Sequence, residues 1–127
     1  MNVQVEVSLG ELVDKISILR LKIARIADQS KVAQAKKEEA VLSQVLTKLN
    51  LPDIDKHLQK LEEINGKLWE IEDDIRLKEK DKKFDQEFIS LARAVYVTND
   101  ERFAAKNEVN RQYGSNIVEV KSYEDYS

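Results

Sequence analysis

Polar side chains occur in the third predicted helix, within a sector that is otherwise apolar. At about 100° per residue, Asn65, Glu72 and Arg76 fall in the arc between Ile75 and Trp69. Glu72 and Arg76 are four residues apart with the acid first, an arrangement that favours an ion pair. Two interpretations follow: an ordinary exposed salt bridge, or a polar pocket with Trp69 as its wall.

A second polar sector lies on the last predicted helix. The spacing of Thr98 and Glu101 is typical of a capping box. The backbone N–H groups of such a turn attract an anion, and Arg102 and Lys106 follow on the same helix. The simpler alternative is that Thr98 is only a cap and that this helix is a solvated surface helix.

Together the two sectors define a candidate ligand site for a small anionic or phosphorylated metabolite, such as a nucleotide or sugar nucleotide. In this hypothesis the cations hold the anion, Glu72 orients Arg76 or a metal, and an aromatic ring covers the ligand. The candidate residues are Trp69, Glu72, Arg76, Tyr96, Asn99, Arg102 and Lys106.

Other catalytic or metal-binding patterns are weak. The acidic run at 70–74 and the pair Glu38 and Glu39 suggest Mg²⁺ held by carboxylates on two helices, but their spacing does not match such a site. His57 is the single histidine and there is no cysteine, which argues against a zinc site or a catalytic dyad. We therefore assign no catalytic residue and no metal ligand, keep Mg²⁺ as the only cofactor alternative, and favour a non-enzymatic function.

Composition limits the class of protein. The chain has 127 residues, of which 35% are charged and 42% hydrophobic, with three glycines and one proline. These values predict a single domain over residues 1–127 and argue against a membrane-spanning or disordered protein. The net charge of −3 argues against a broad nucleic-acid surface. The absence of cysteine favours a cytoplasmic location.

The hydrophobic periodicity predicts an all-α fold, a bundle of four to five helices with long antiparallel helices. Ser8 and Glu11 form a capping box that starts the first helix, and Asp28 or Ser30 caps the second. Alternating valines suggest a short strand that pairs with the extended tail. The predicted ranges are 3–7 for the strand, 9–27, 31–50, 53–78, 82–97 and 99–113 for the helices, and 115–127 for the tail.

The first helix is apolar on two faces. Leu12, Ile16 and Leu19 begin a heptad seam typical of a coiled coil, while Ile18 and Leu21 point to the other side. Such a helix is either central in its bundle or shared with another subunit. The leading hypothesis is a self-associating interaction module, a homo-oligomer with Ile18 and Leu21 at its interface, and a protein partner is the other form of this hypothesis.

Four stretches carry a resemblance to a known family. They are residues 5–15, 68–76, 92–102 and 121–123, of which the second reads Leu-Trp-Glu-Ile-Glu-Asp-Asp-Ile-Arg. The chain resembles a family of small uncharacterised proteins of bacteria and their phages, a domain of unknown function. The resemblance implies a free-standing domain and no particular activity.

Overall fold

Four helices make up the fold, which confirms the predicted all-α bundle. The computed structural model describes residues 1–127 and contains no strand. The residues before the first helix and after the last have no regular secondary structure. The helices are α1 Leu9–Arg25, α2 Gln29–Lys48, α3 Ile54–Lys80 and α4 Gln86–Gln112.

Side-chain caps define where three of the helices begin. The Ser8 hydroxyl accepts a hydrogen bond from the Glu11 N–H at 3.1 Å. The Asp28 carboxylate accepts from the N–H groups at the start of α2, and Asp85 does the same for α4. Each cap satisfies N–H groups that have no partner within the helix. α1 begins at Leu9, where the prediction put it, whereas α2 begins at Gln29, two residues before the predicted start, with Asp28 as its cap.

The first helix occupies the centre of the bundle. α1 packs against each of the three other helices. The apolar core lies at this junction and consists of Val13, Ile16, Leu46, Leu58, Leu61, Ala105 and Val109. A helix with two apolar faces is either central in its bundle or shared with another subunit, and α1 has the central position.

The break predicted at residues 97–99 is wrong. A single helix, α4, spans both the 82–97 and the 99–113 segments. Thr98 is inside this helix and 1% exposed, and its hydroxyl has no hydrogen-bond partner. No glycine or proline interrupts α4, and Thr98, Ala105 and Val109 bury one face of it. Tertiary packing and helix propensity thus prevail over the capping signal.

The predicted strand at residues 3–7 is also wrong. Val3, Val5 and Val7 are exposed, and no ladder joins them to the tail. An isolated pair of short strands has too little apolar surface to be stable. The tail instead lies along α4, where side chains hold it.

The two longest helices extend beyond the rest of the bundle. Each has 27 residues, whereas α1 has 17 and α2 has 20. No residue between 67 and 97 is buried, although this segment contains half of α3 and half of α4. We call residues 67–97 the protruding hairpin. None of the four helices is long and apolar enough to cross a bilayer.

Candidate functional site

A buried carboxylate, Asp14, organises the polar interior of the bundle. Its side chain is 1% exposed and accepts two hydrogen bonds from Arg102, from Nε at 2.9 Å and from Nη2 at 2.6 Å. Asn65 Nδ2 donates to Asp14 Oδ1 at 2.9 Å and lies 2.9 Å from the Ser17 hydroxyl. A fork of this kind fixes the plane of the guanidinium. Asp14 therefore positions Arg102.

Glycine at position 10 brings α1 close to α4. A Cβ atom at Gly10 would lie 2.3 Å from the carbonyl oxygen of Lys106, so only glycine fits this crossing. The Gly10 N–H donates to Asn110 Oδ1 at 2.7 Å. Asp14 and Ser17 follow Gly10 at helical spacing on the same face. The close approach places this polar face directly against α4.

Lys106 lies one turn after the half-buried Arg102 and is a buried cation. Its side chain is 7% exposed, and Nζ lies 2.7 Å from Glu11 Oε2, 2.7 Å from Glu119 Oε2 and 3.9 Å from Asp14 Oδ2. We call Glu11, Asp14, Arg102, Lys106 and Glu119 the charge cluster. It holds two cations and three carboxylates, and so one net negative charge.

The carboxylates keep both cations protonated. Hydrogen bonds to Asp14 raise the pKa of Arg102. Burial lowers the pKa of Lys106, but its hydrogen bond to Glu11 and its ion pair with Glu119 outweigh burial, and the net shift is upward. Lys106 is therefore a fixed positive charge at neutral pH and is unsuited to act as a general base.

Side chains of α4 hold the C-terminal tail. The Asn107 amide pairs with the backbone of Glu119, donating to its carbonyl oxygen and accepting from its N–H, both at 3.3 Å. Asp100 accepts from Lys121 Nζ and from the Tyr126 hydroxyl, each at 2.5 Å. The bond to Asp100 raises the pKa of Tyr126 to about 12, while Lys121 and then Tyr126 lower the pKa of Asp100. The tail contributes no backbone-to-backbone bond beyond Ser115.

An open cavity of about 1080 Å³ lies between α4 and the tail. Arg102, Lys106 and Glu119 form part of its lining and connect it with the charge cluster. Four aromatic rings complete much of the wall, those of Tyr96, Phe103, Tyr123 and Tyr126. The size matches that of small-molecule sites, and the polar groups that converge on it come from different parts of the chain.

Comparison with known proteins places this arrangement in a family. The model of a family of unknown function (DUF6165) matches residues 3–126. The chain belongs to this family. No curated protein and no solved structure matches the chain. Membership in DUF6165 confirms the resemblance to a family of uncharacterised proteins and brings no activity with it, so a function must be argued from geometry.

The structure brings four of the seven predicted ligand residues of this DUF6165 member into the cavity. Tyr96, Asn99, Arg102 and Lys106 line it. Arg102 and Lys106 lie in the middle of α4, where Arg102 is half-buried and Lys106 is buried, whereas the prediction put them beside a helix N-terminus.

The other three predicted ligand residues lie apart from the cavity. Trp69, Glu72 and Arg76 belong to the half of α3 in the protruding hairpin. Arg76 Nε donates to Glu72 Oε2 at 3.1 Å, and the two side chains are 78% and 38% exposed. This matches the simpler interpretation of the pair, an ordinary exposed salt bridge.

The predicted oligomer residues are half-buried. Ile18 and Leu21 are both partly covered within the chain. A Cβ atom at Gly66 would lie 3.7 Å from Leu21 Cδ2, so Leu21 packs against α3. The second apolar face of α1 is thus accounted for by the chain's own packing.

Sequence reasoning missed Asp14, Ser17 and Glu119. A signal for the first two exists, because Gly10, Asp14 and Ser17 form a small and polar stripe between apolar positions of α1. Glu119 had no such signal, since nothing in an irregular tail indicates which side chain returns to a helix.

No metal centre was found among the carboxylates. No group of three or more His, Cys, Asp or Glu side chains is placed to hold a metal ion. Glu38 and Glu39, the second acidic pair considered for Mg²⁺, are instead paired with Lys15 and Arg20. No residue is therefore assigned to a metal.

Proposed function

We propose that the chain binds a small anionic metabolite in the cavity between α4 and the tail. The observation that carries the proposal is the placement of two cations, the half-buried Arg102 and the buried Lys106, one turn apart at the edge of a cavity of about 1080 Å³. A nucleotide or sugar nucleotide belongs among the candidates, since the cavity also offers aromatic rings for stacking.

The cost of burying charge supports a binding role. Replacing buried ion pairs by apolar side chains is often neutral or stabilising, so a buried charge cluster is not needed for stability alone. Asp14 fixes Arg102 rigidly, and such preorganisation lowers the entropy that a ligand loses on binding. The aromatic wall supplies apolar contact beside the cations.

Thermal unfolding with a panel of anions tests the proposal. The panel contains inorganic phosphate, nucleoside monophosphates, a sugar nucleotide and small carboxylates, each with and without Mg²⁺. A ligand at 100 times its Kd stabilises the folded state by about 2.7 kcal/mol. We expect at least one anion to raise the Tm of the wild-type chain.

Two variants locate the effect. Lys106→Met removes the buried cation, and we expect it to abolish the ligand-induced shift. Lys60→Met removes an exposed cation that pairs with Glu108 on the outer surface and should leave the shift unchanged. A wild-type Tm that no anion moves, or a shift that survives Lys106→Met, would contradict the proposal.

Self-association is a second candidate function, and a different surface favours it. Val41 and Val45 on α2 and Leu49 at its C-cap are four residues apart and 62%, 47% and 50% exposed. They form one apolar stripe, which a second copy of α2 would cover by helix–helix packing. Sedimentation velocity at tens of micromolar tests this: we expect a dimer for the wild type and a monomer for Val45→Lys, and a strictly monomeric wild type would contradict it.

A further inference from the structure

The carboxylate of Glu119 belongs to the charge cluster, but the contacts between the helices do not depend on it. Asp14 already neutralises Arg102, and Glu11 already neutralises Lys106, both from α1. Glu119 adds a third carboxylate at 2.7 Å from Lys106 Nζ and reaches it from a tail without regular structure. A ligand that replaces Glu119 therefore disturbs no contact between helices.

The charge of the cluster selects among anions. With Glu119 in place, the cluster has one net negative charge. A ligand with a single negative charge that takes the place of the Glu119 carboxylate would leave this net charge unchanged. A phosphate monoester has a charge near −2 at neutral pH and would add a further negative charge close to Asp14 and Glu11. At short range in a partly buried site, this repulsion is costly.

The wall beyond Lys106 suits a flat apolar body. Phe103 and Tyr123 both lie near the Lys121 ammonium, which is 5.4 Å from the first ring centroid and 5.6 Å from the second. Tyr96 and Tyr126 contact edge to face with ring centroids 5.0 Å apart. Rings at such an opening favour stacking with another planar group.

We infer that the ligand is an aromatic carboxylate whose carboxylate group replaces that of Glu119 on Lys106. This inference rests on the proposed function and names its ligand class. The tail acts as an intramolecular competitor, since a tethered group has an effective concentration on the order of millimolar. The free ligand must overcome this competitor before it reaches Lys106.

Calorimetric titration of the full chain tests the inference with three probes that share one ring. They are 4-hydroxyphenylacetate, its neutral amide, and 4-hydroxyphenyl phosphate. The proteins are the wild type, Glu119→Ala and the control Glu108→Ala, which removes an exposed carboxylate that pairs with Lys60 on the outer surface. We expect the carboxylate to bind most tightly, and Glu119→Ala to tighten it about tenfold, as the competitor is removed. Glu108→Ala should leave Kd unchanged.

Each contrary result has a distinct meaning. Equal or tighter binding of the phosphate ester, equal binding of the neutral amide, or an unchanged Kd in Glu119→Ala would overturn the inference. Failure of all three probes would also overturn it. The proposed function would still stand if a nucleotide or phosphate raised the Tm through Lys106, and it would fall only if the whole panel of anions failed as well.

Discussion

The two halves of the α3–α4 pair differ in how they use charged residues. Where α1 crosses them, Asp14 and Lys106 are buried, Arg102 is half-buried, and both cations form ion pairs with Asp14. In the protruding hairpin, Glu72 and Arg76 form an exposed pair, and no residue is buried. The same residue types at helical spacing therefore lie in two different environments. The two environments differ because α1 packs against one half of the α3–α4 pair and not against the other. A helical wheel of α3 or α4 alone cannot show this difference.

The largest difference between the two regions should appear on removal of one carboxylate from each. Asp14→Ala removes a buried carboxylate that accepts hydrogen bonds from Arg102 and Asn65, and we expect a loss of about 3–5 kcal/mol in the free energy of unfolding. Glu72→Ala is the matched control and should change it by less than about 0.5 kcal/mol. Urea unfolding of both variants gives the comparison. Similar losses would show that Asp14 is not the centre of the cluster.

Two glycines offer the next largest contrast. Gly10→Ala forces a Cβ to within 2.3 Å of the Lys106 carbonyl oxygen, and we expect a loss of at least about 1–3 kcal/mol from overpacking. A Cβ atom in Gly66→Ala meets the flexible end of Arg25 at 3.1 Å and Leu21 Cδ2 at an ordinary contact distance of 3.7 Å, so the higher helix propensity of alanine should stabilise the chain by up to about 1 kcal/mol. Chemical denaturation measures both. Opposite signs are required, and a destabilising Gly66→Ala would contradict the packing described for that site.

Thr98 lies at the boundary between the two regions. If it is buried within a continuous α4, Thr98→Val removes an unpartnered hydroxyl and should stabilise the chain by about 1 kcal/mol. If it were a helix cap instead, the same change would cost about 1 kcal/mol. The sign of the change in thermal stability thus decides between one helix and two.

The smallest effect concerns the tail, where Tyr126 and Asp100 are bonded. The pKa of Tyr126 is raised to about 12, so its contribution to tail docking is complete below its ordinary value of 10.0 and is lost as pH rises through about 12. The pKa of Asp100 is lowered from 3.8, so its contribution is present above that value and is lost as pH falls through the lowered one. Ultraviolet titration of the tyrosines should show one late step that Asp100→Asn moves back toward pH 10. A Tyr126 step already near pH 10 in the wild type would mean that the tail does not dock on Asp100.

Local signals predicted most of the fold. The caps at Ser8 and Asp28 fixed helix starts because they act within four residues, and the periodicity of α1 correctly indicated a helix with two apolar faces. The capping signal at Thr98 failed because burial against other helices outweighs a local bond. The predicted strand failed because Val3, Val5 and Val7 have no partner strand in the fold.

The candidate site was predictable only in part. Arg102 and Lys106 were identified because they follow the predicted turn at Thr98, whose backbone N–H groups were expected to attract an anion. Asp14 and Glu119 come from positions 88 and 13 residues away in sequence from the cations they contact. No spacing rule reaches so far. Trp69 and Arg76 were assigned to the site because a helical wheel shows which face of α3 a residue is on. The wheel does not show how far along α3 the packing with α1 extends.

The most direct test of the central account is a ¹H–¹⁵N NMR titration of the full chain with the best-binding anion. If the charge cluster is the site, amide shifts will concentrate at residues 99–106 of α4 and 117–126 of the tail. Residues 69–80 of the protruding hairpin will keep their positions. Shifts centred on the hairpin, or none at saturating ligand, would contradict the assignment of function to the buried cluster.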